Sequence, residues 1–141
     1  MNKILIIGQA PPAHKQKFPY DSTMLYDWLS EVGISIETAQ QMFEFEAVCG
    51  VFTGFENGGH KKPSKEQMDE HWEEVLQEKV QSVNKVILLG NVAKEYFWSK
   101  PKTWSCSLEV LELIHPSRRN YNLYKNNKEQ IVKQLRDFID S

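Results

Sequence analysis

Lys3-Ile4-Leu5-Ile6-Ile7-Gly8, continuing as Gln9-Ala10-Pro11-Pro12, decides the fold. Ile4 to Ile7 are all aliphatic, with no polar alternation, which is the pattern of a strand covered on both faces. Gly8 ends the run, and Pro11, Pro12 and Pro19 make a loop of Gln9 to Tyr20. A second run of the same kind, Lys85-Val86-Ile87-Leu88-Leu89, also ends on a glycine, Gly90. Doubly covered strands belong to parallel sheets with helices on both faces.

Working outward, helices separate the strands. Ser22 or Thr23 can cap a helix with Leu25, Trp28, Leu29 and Val32 on its apolar side, and Gly33 ends it. Ile34 to Phe45 fits either helix or strand. Glu46 to Phe52 reads as the second strand, carrying Ala47, Val48, Val51 and Phe52, and Thr53 to Pro63 reads as a loop. Ser64 and Gln67 form a capping box that opens a long helix with an apolar stripe of Met68, Trp72, Val75, Leu76 and Val80. Its acids, Glu66, Asp69, Glu70, Glu73, Glu74 and Glu78, face outward. A short helix, Val92 to Trp98, follows the Lys85–Leu89 strand. Leu108 to Ile114 is the fourth strand, and Glu109 and Glu112 place it at an edge. His115 to Lys125 reads as a loop. The last helix spans Asn127 to Ile139, with Ile131, Leu135 and Phe138 inward.

The expected fold is therefore α/β, a three-layer α/β/α sandwich around a four-stranded, mainly parallel sheet, formed by one domain over residues 1–141. Ligands in such folds bind where strands end at their carboxyl side. The loops after Gly8, Phe52, Gly90 and Ile114 are the ones to read for chemistry.

Composition narrows the function without naming it. Hydrophobic residues make up 40% of the 141 and charged residues 26%, the balance of a globular chain rather than a disordered one. No apolar run reaches the ~20 residues that span a bilayer. Met1 to Gly8 lacks a signal peptide's length and cleavage site, so the cytoplasm is the expected location and no membrane partner is expected. Cys49 and Cys106 are too few for a four-cysteine cluster, and both are expected as reduced thiols. The formal charge of −2 does not advertise a nucleic-acid binder. Bases do fall in loops, at Lys15, Lys17, Lys61, Lys62, Lys100, Lys102, Arg118 and Arg119. If those loops share one edge, that edge is basic; scattered solvated charge accounts for them equally well.

Three motifs fall at strand ends. Gly8-Gln9-Ala10-Pro11-Pro12-Ala13-His14 follows the first strand, Leu88-Leu89-Gly90-Asn91-Val92-Ala93 spans the end of the third, and His115-Pro116-Ser117-Arg118-Arg119-Asn120 follows the fourth. In this order the trio resembles the uracil-DNA glycosylase superfamily, with motifs like those of the bacterial and archaeal branches that carry Gly-x-Ala-Pro and His-Pro-Ser loops. The resemblance runs over nearly the whole chain.

It implies a DNA repair enzyme, a monofunctional hydrolase that cleaves the N-glycosidic bond of uracil or a related deaminated base flipped out of single- or double-stranded DNA. It acts as a monomer with no metal or cofactor. Such a site needs donors where negative charge develops on the leaving base, and a group that positions water beside a cationic sugar. The resemblance makes His115 the donor to the base O2 and Asp21, ahead of Met24-Leu25-Tyr26, the residue that handles the water. Gly8, Gln9 and Ala10 then bring backbone N–H groups to the base, and Phe18 stacks on it. Pro11, Pro12, Ser117, Arg118, Arg119 and Asn120 meet the DNA. Each residue also has a plainer reading: a loop histidine, a helix N-cap for Asp21, a core phenylalanine, an exposed charged turn.

The sequence departs from the family in three places. Ala10 stands where some members carry a carboxylate, the cysteines of an iron–sulfur site are missing, and the second strand's neighbourhood, Glu46-Ala47-Val48-Cys49, has no amide to read the base. Asn91 is a substitute reader or a helix cap. These departures keep a second reading open, a weak or inactive relative that binds nucleic acid or a nucleotide. A third is a protein-interaction domain on an inherited fold.

Overall fold

A computed structural model describes residues 3–9, 23–50, 55–56, 59–60, 62–114 and 121–141. Four parallel strands form the sheet: β1 (Ile4–Gly8), β2 (Phe43–Ala47), β5 (Lys85–Leu89) and β6 (Glu109–Leu113), in the spatial order β2-β1-β5-β6. The two doubly covered runs, β1 and β5, are its central pair, and β6 lies at an edge as Glu109 and Glu112 require. A separate antiparallel ribbon, β3 (Phe55–Glu56) and β4 (Gly59–His60), interrupts the segment read as loop.

Helices cover both faces. Ile4 and Ile6 of β1 point into one core with Leu25, Trp28 and Leu29 of α1 (Thr23–Glu31), Ala39 of α2 (Ile36–Met42), and Ile131 and Leu135 of α6 (Tyr121–Asp140). Leu5 and Ile7 point the opposite way. There they meet Met68 of α3 (Lys65–His71), Trp72 and Leu76 of a π-helical turn (Trp72–Leu76), Val80 of α4 (Gln77–Ser82), and Ala93 and Phe97 of α5 (Asn91–Ser99). This is the expected α/β/α sandwich.

Three further features differ from the sequence reading. The second strand is Phe43–Ala47 rather than Glu46–Phe52, and the undecided stretch before it is α2, capped by Ser35, whose side chain accepts from the Thr38 N–H at 3.2 Å. The alternation Phe43-Glu44-Phe45-Glu46 is the strand signal; it was obscured because α2 runs into β2 with no intervening loop. The last helix begins at Tyr121, inside the segment read as loop, and is broken at Asn127, where φ −122° and ψ 15° leave helical geometry. Two helices meet at this kink, and the second starts at Asn127, where the last helix was expected.

The third difference is the π turn, which makes α3, the turn and α4 one continuous rod. Its buried residues, Met68, Trp72, Leu76 and Val80, recur every four positions. At about 100° per residue an α-helix would spread them over about 120° of its circumference. The widened turn absorbs one residue, removing about 100° of rotation, so Val80 returns to within about 20° of Met68. The same correction brings Lys79 to within about 20° of His71, eight residues earlier, where an unbroken α-helix would leave them about 80° apart.

Candidate functional site

All four strands are parallel, so the loops after Gly8, Ala47, Leu89 and Leu113 leave from one edge. β5 alone separates β1 from β6, which puts their ends about 10 Å apart, two interstrand spacings. The ends are laced in pairs. The Val48 N–H donates to the Gly8 carbonyl at 2.9 Å, and the Cys49 thiol lies 4.0 Å from the Gln9 carbonyl oxygen. The Gly90 N–H donates to the Leu113 carbonyl at 2.9 Å. Gly90 holds φ +87°, a left-handed conformation that glycine adopts without strain, and its carbonyl accepts from the Lys94 N–H to start α5.

Gly8 and Gln9 thus sit at the carboxyl edge as expected. Asn91 is there too, exposed at the first position of α5; Gly90, and not Asn91, is the capping residue. His115, Asp21, Ala10, Phe18, Pro11, Pro12, Ser117, Arg118, Arg119 and Asn120 lie outside the described residues. Ile114, which precedes His115, is at the edge and half-buried.

Among the described basic loop residues, Lys100 and Lys102 do not share the carboxyl edge. Lys100 and Lys102 follow the carboxyl end of α5 and lead into the start of β6, at the opposite side of the sheet. Lys100 is engaged there: its ammonium lies 3.3 Å from Asp69 Oδ1 and over the rings of Trp72 and Tyr96. A hydrogen bond from Tyr96 Oη at 2.6 Å, joined by Lys100, holds the Asp69 carboxyl below its usual range, while burial and Asp69 push the Tyr96 hydroxyl well above its own. Lys62 is exposed just ahead of α3, on the carboxyl side.

One cluster was not anticipated. β2 turns Phe43 and Phe45 to the α1 side, and Glu44 and Glu46 to the α3–α4 side. Glu46 Oε1 meets His71 Nε2 at 3.0 Å, Glu46 Oε2 accepts from Lys79 Nζ at 2.5 Å, and Lys79 reaches Glu44 at 2.8 Å. Burial opposes ionisation of Glu46, but the hydrogen bonds from His71 and Lys79 and the charge of Lys79 outweigh it and hold the carboxyl below its usual range. Burial also opposes charge on Lys79, and its bonds to Glu44 and Glu46 overcome that, raising its pKa. Beyond His71 lies Gly50, where a Cβ would come within 3.0 Å of Nδ1. The signal that could have revealed this cluster is the four-residue apolar spacing, which requires the widened turn that aligns His71 with Lys79.

An open, all-parallel sheet between two helical layers, with glycine exits from its central strands, defines an α/β protein of the class in which ligands bind at the carboxyl edge. The chain belongs to the uracil DNA glycosylase superfamily, whose family model matches residues 1–139. Its fold is similar to the crystal structure of wild-type Pedobacter heparinus SMUG2, with a TM-score of 0.56 and 16% identity over 96% of this chain and 74% of that one. No curated protein sequence matches it.

Proposed function

We propose that the chain is a monofunctional DNA glycosylase that hydrolyses the N-glycosidic bond of uracil, or of a related deaminated base, flipped out of DNA. The observation that carries this is the superfamily match over residues 1–139, on a sheet whose Gly8 and Ile114 leave from the same edge. In this reading the loops after those two residues wall the base pocket. Backbone N–H groups of Gly8 to Ala10 and the His115 ring donate to the base, Phe18 stacks on it, and Asn91 reaches it from the start of α5. Asp21 takes a proton from water as the water oxygen bonds to C1′. The C1′–N bond breaks with its electron pair going to the base. Pro11, Pro12, Ser117, Arg118, Arg119 and Asn120 hold the DNA. The protein works as one domain, as a monomer in the cytoplasm.

A second reading has a specific observation in its favour. β2 ends in Ala47 and continues as Val48 and Cys49, with no amide to read a uracil edge, and Ala10 offers no carboxylate. A relative that binds nucleic acid and cleaves weakly or not at all is consistent with both. Labelled oligonucleotides containing uracil opposite A, opposite G or unpaired, followed by alkali, separate the two. Strand breaks lost in His115→Ala and Asp21→Asn establish the enzyme. Binding with no break at high enzyme excess establishes the second reading.

A further inference from the structure

We propose that His71, held by Glu46 and Lys79, is a positioning residue that fixes the β2 side of the pocket floor. This rests on the reading of the carboxyl edge as the base-binding edge. The chain of contacts is short. Glu46 is ionised and therefore only accepts, so His71 Nε2 carries the proton it donates, and the ring cannot turn without losing that bond. The ring then packs on Gly50, where a Cβ would come to 3.0 Å from Nδ1, so that a side chain there has to push the ring back by a few tenths of an ångström. Gly50 ends the segment Val48-Cys49-Gly50, in which the Val48 N–H and the Cys49 thiol meet the Gly8 and Gln9 carbonyls. His71 thus presses one side of this segment while the first base-binding loop holds the other.

Two features argue that the arrangement serves more than the core. The helix carries a π turn, a distortion common at functional sites, and that turn is what aligns His71 and Lys79 over Glu46. The cluster is also polar and lies half-buried directly beneath the carboxyl end of β2, whereas the other polar network of this layer, Tyr96–Asp69–Lys100, sits away from that strand. A packing role would be met by an aliphatic residue at 71. A role in holding the backbone at 48–50 needs the directional bond.

The test uses the full chain in a Cys106→Ser background, so that Cys49 is the only thiol. Its reaction with an aromatic disulfide reports opening of the 48–50 segment. His71→Leu and Gly50→Ala are expected to speed this reaction at least about tenfold with no dependence on dilute urea, the mark of local opening. His71→Gln, whose amide can donate to Glu46, is expected to return it to within about threefold of wild type. On uracil-containing oligonucleotides, kcat falls about 10- to 100-fold in His71→Leu and recovers in His71→Gln, while KM, set by backbone contacts, stays put. Unchanged Cys49 rates in His71→Leu and Gly50→Ala, with only the urea midpoint lowered, overturn the proposal, as does failure of His71→Gln to restore them. A wild type that cleaves nothing overturns the glycosylase reading; the thiol rates still decide whether His71 positions the segment.

Discussion

Deleting Glu74 asks whether the widened turn Trp72–Leu76 is one extra residue in an otherwise regular helix. Glu74 is exposed, so its side chain contributes no core contact. After the deletion an ordinary α-helix places Met68, Trp72, Leu76 and Val80 at about 0°, 40°, −20° and 20°, a narrow stripe on the face they already occupy. His71 and Lys79 keep their alignment over Glu46 by the same arithmetic. Inserting an alanine after Glu74 does the opposite, turning everything beyond it by about 100° and carrying Leu76 and Val80 off the sheet. Those two side chains are 0% and 1% exposed. Burying each is worth ~1.5–3 kcal/mol, so the insertion is expected to cost about 3–6 kcal/mol. The deletion is expected to change stability by less than about 1 kcal/mol, since it removes one ordered residue along with the irregular turn.

Urea unfolding followed by tryptophan fluorescence measures both, with Trp72 in the altered turn. For a slope of about 2 kcal/mol/M the insertion lowers the midpoint by about 1.5–3 M and the deletion by less than about 0.5 M. Equal losses from the two variants refute the reasoning. They would mean that the rod is register-locked as it stands and that the turn is not an inserted residue.

Glu46→Gln is expected to flatten the acid limb of the stability curve: the native carboxyl titrates below its unfolded value, so its contribution is full above the unfolded pKa and is lost as pH falls through the native one. Urea midpoints from neutral pH down to about pH 3 check this, and a variant curve parallel to wild type counts against it. Gly33→Ala is expected to cost ~1–2 kcal/mol from strain alone, because φ is +89° while nothing lies within 4 Å of the added carbon. Thermal melts of Gly33→Ala beside Gly33→Asn test it, the asparagine being the milder change. Ser64→Ala is expected to cost about 0.5–1 kcal/mol, the low end for a cap, because the Ser64 N–H still donates to Gln67 Oε1 at 2.9 Å. A loss in the melts of over about 2 kcal/mol would show that the hydroxyl does more than cap.

The fold was legible where the sequence carried a single period. Ile4 to Ile7 and Val86 to Leu89 have no polar member, so they had to be interior strands, and Ser64 with Gln67 had to open a helix. The edge position of β6 followed from Glu109 and Glu112. Legibility failed where two periods meet. Ile36 to Ala47 passes from helix to strand without a residue between, so neither pattern runs long enough to declare itself. It failed again at Trp72–Leu76, where strict four-residue spacing was read as an ordinary stripe although it drifts around an ordinary helix. The order of motifs put Gly8 and Asn91 at the carboxyl edge, where they lie, and of the two readings of Asn91 the helix cap falls instead to Gly90.

Glu44 and Glu46 admit an economical reading, since edge strands carry charges to discourage pairing with other chains. That reading fits Glu44, whose side chain is 36% exposed, better than Glu46, which is 17% exposed and has both oxygens engaged. A charge that wards off neighbours gains nothing from burial, which costs solvation that the His71 and Lys79 bonds must offset. Replacing half-buried ion pairs by aliphatic residues is often neutral or stabilising, so a fold selected for stability alone had an easier solution at 46, 71 and 79. What the polar solution adds is direction: it holds the His71 ring against Gly50, at the point where the chain leaves β2 for the edge at which Gly8 and Gln9 begin the first loop.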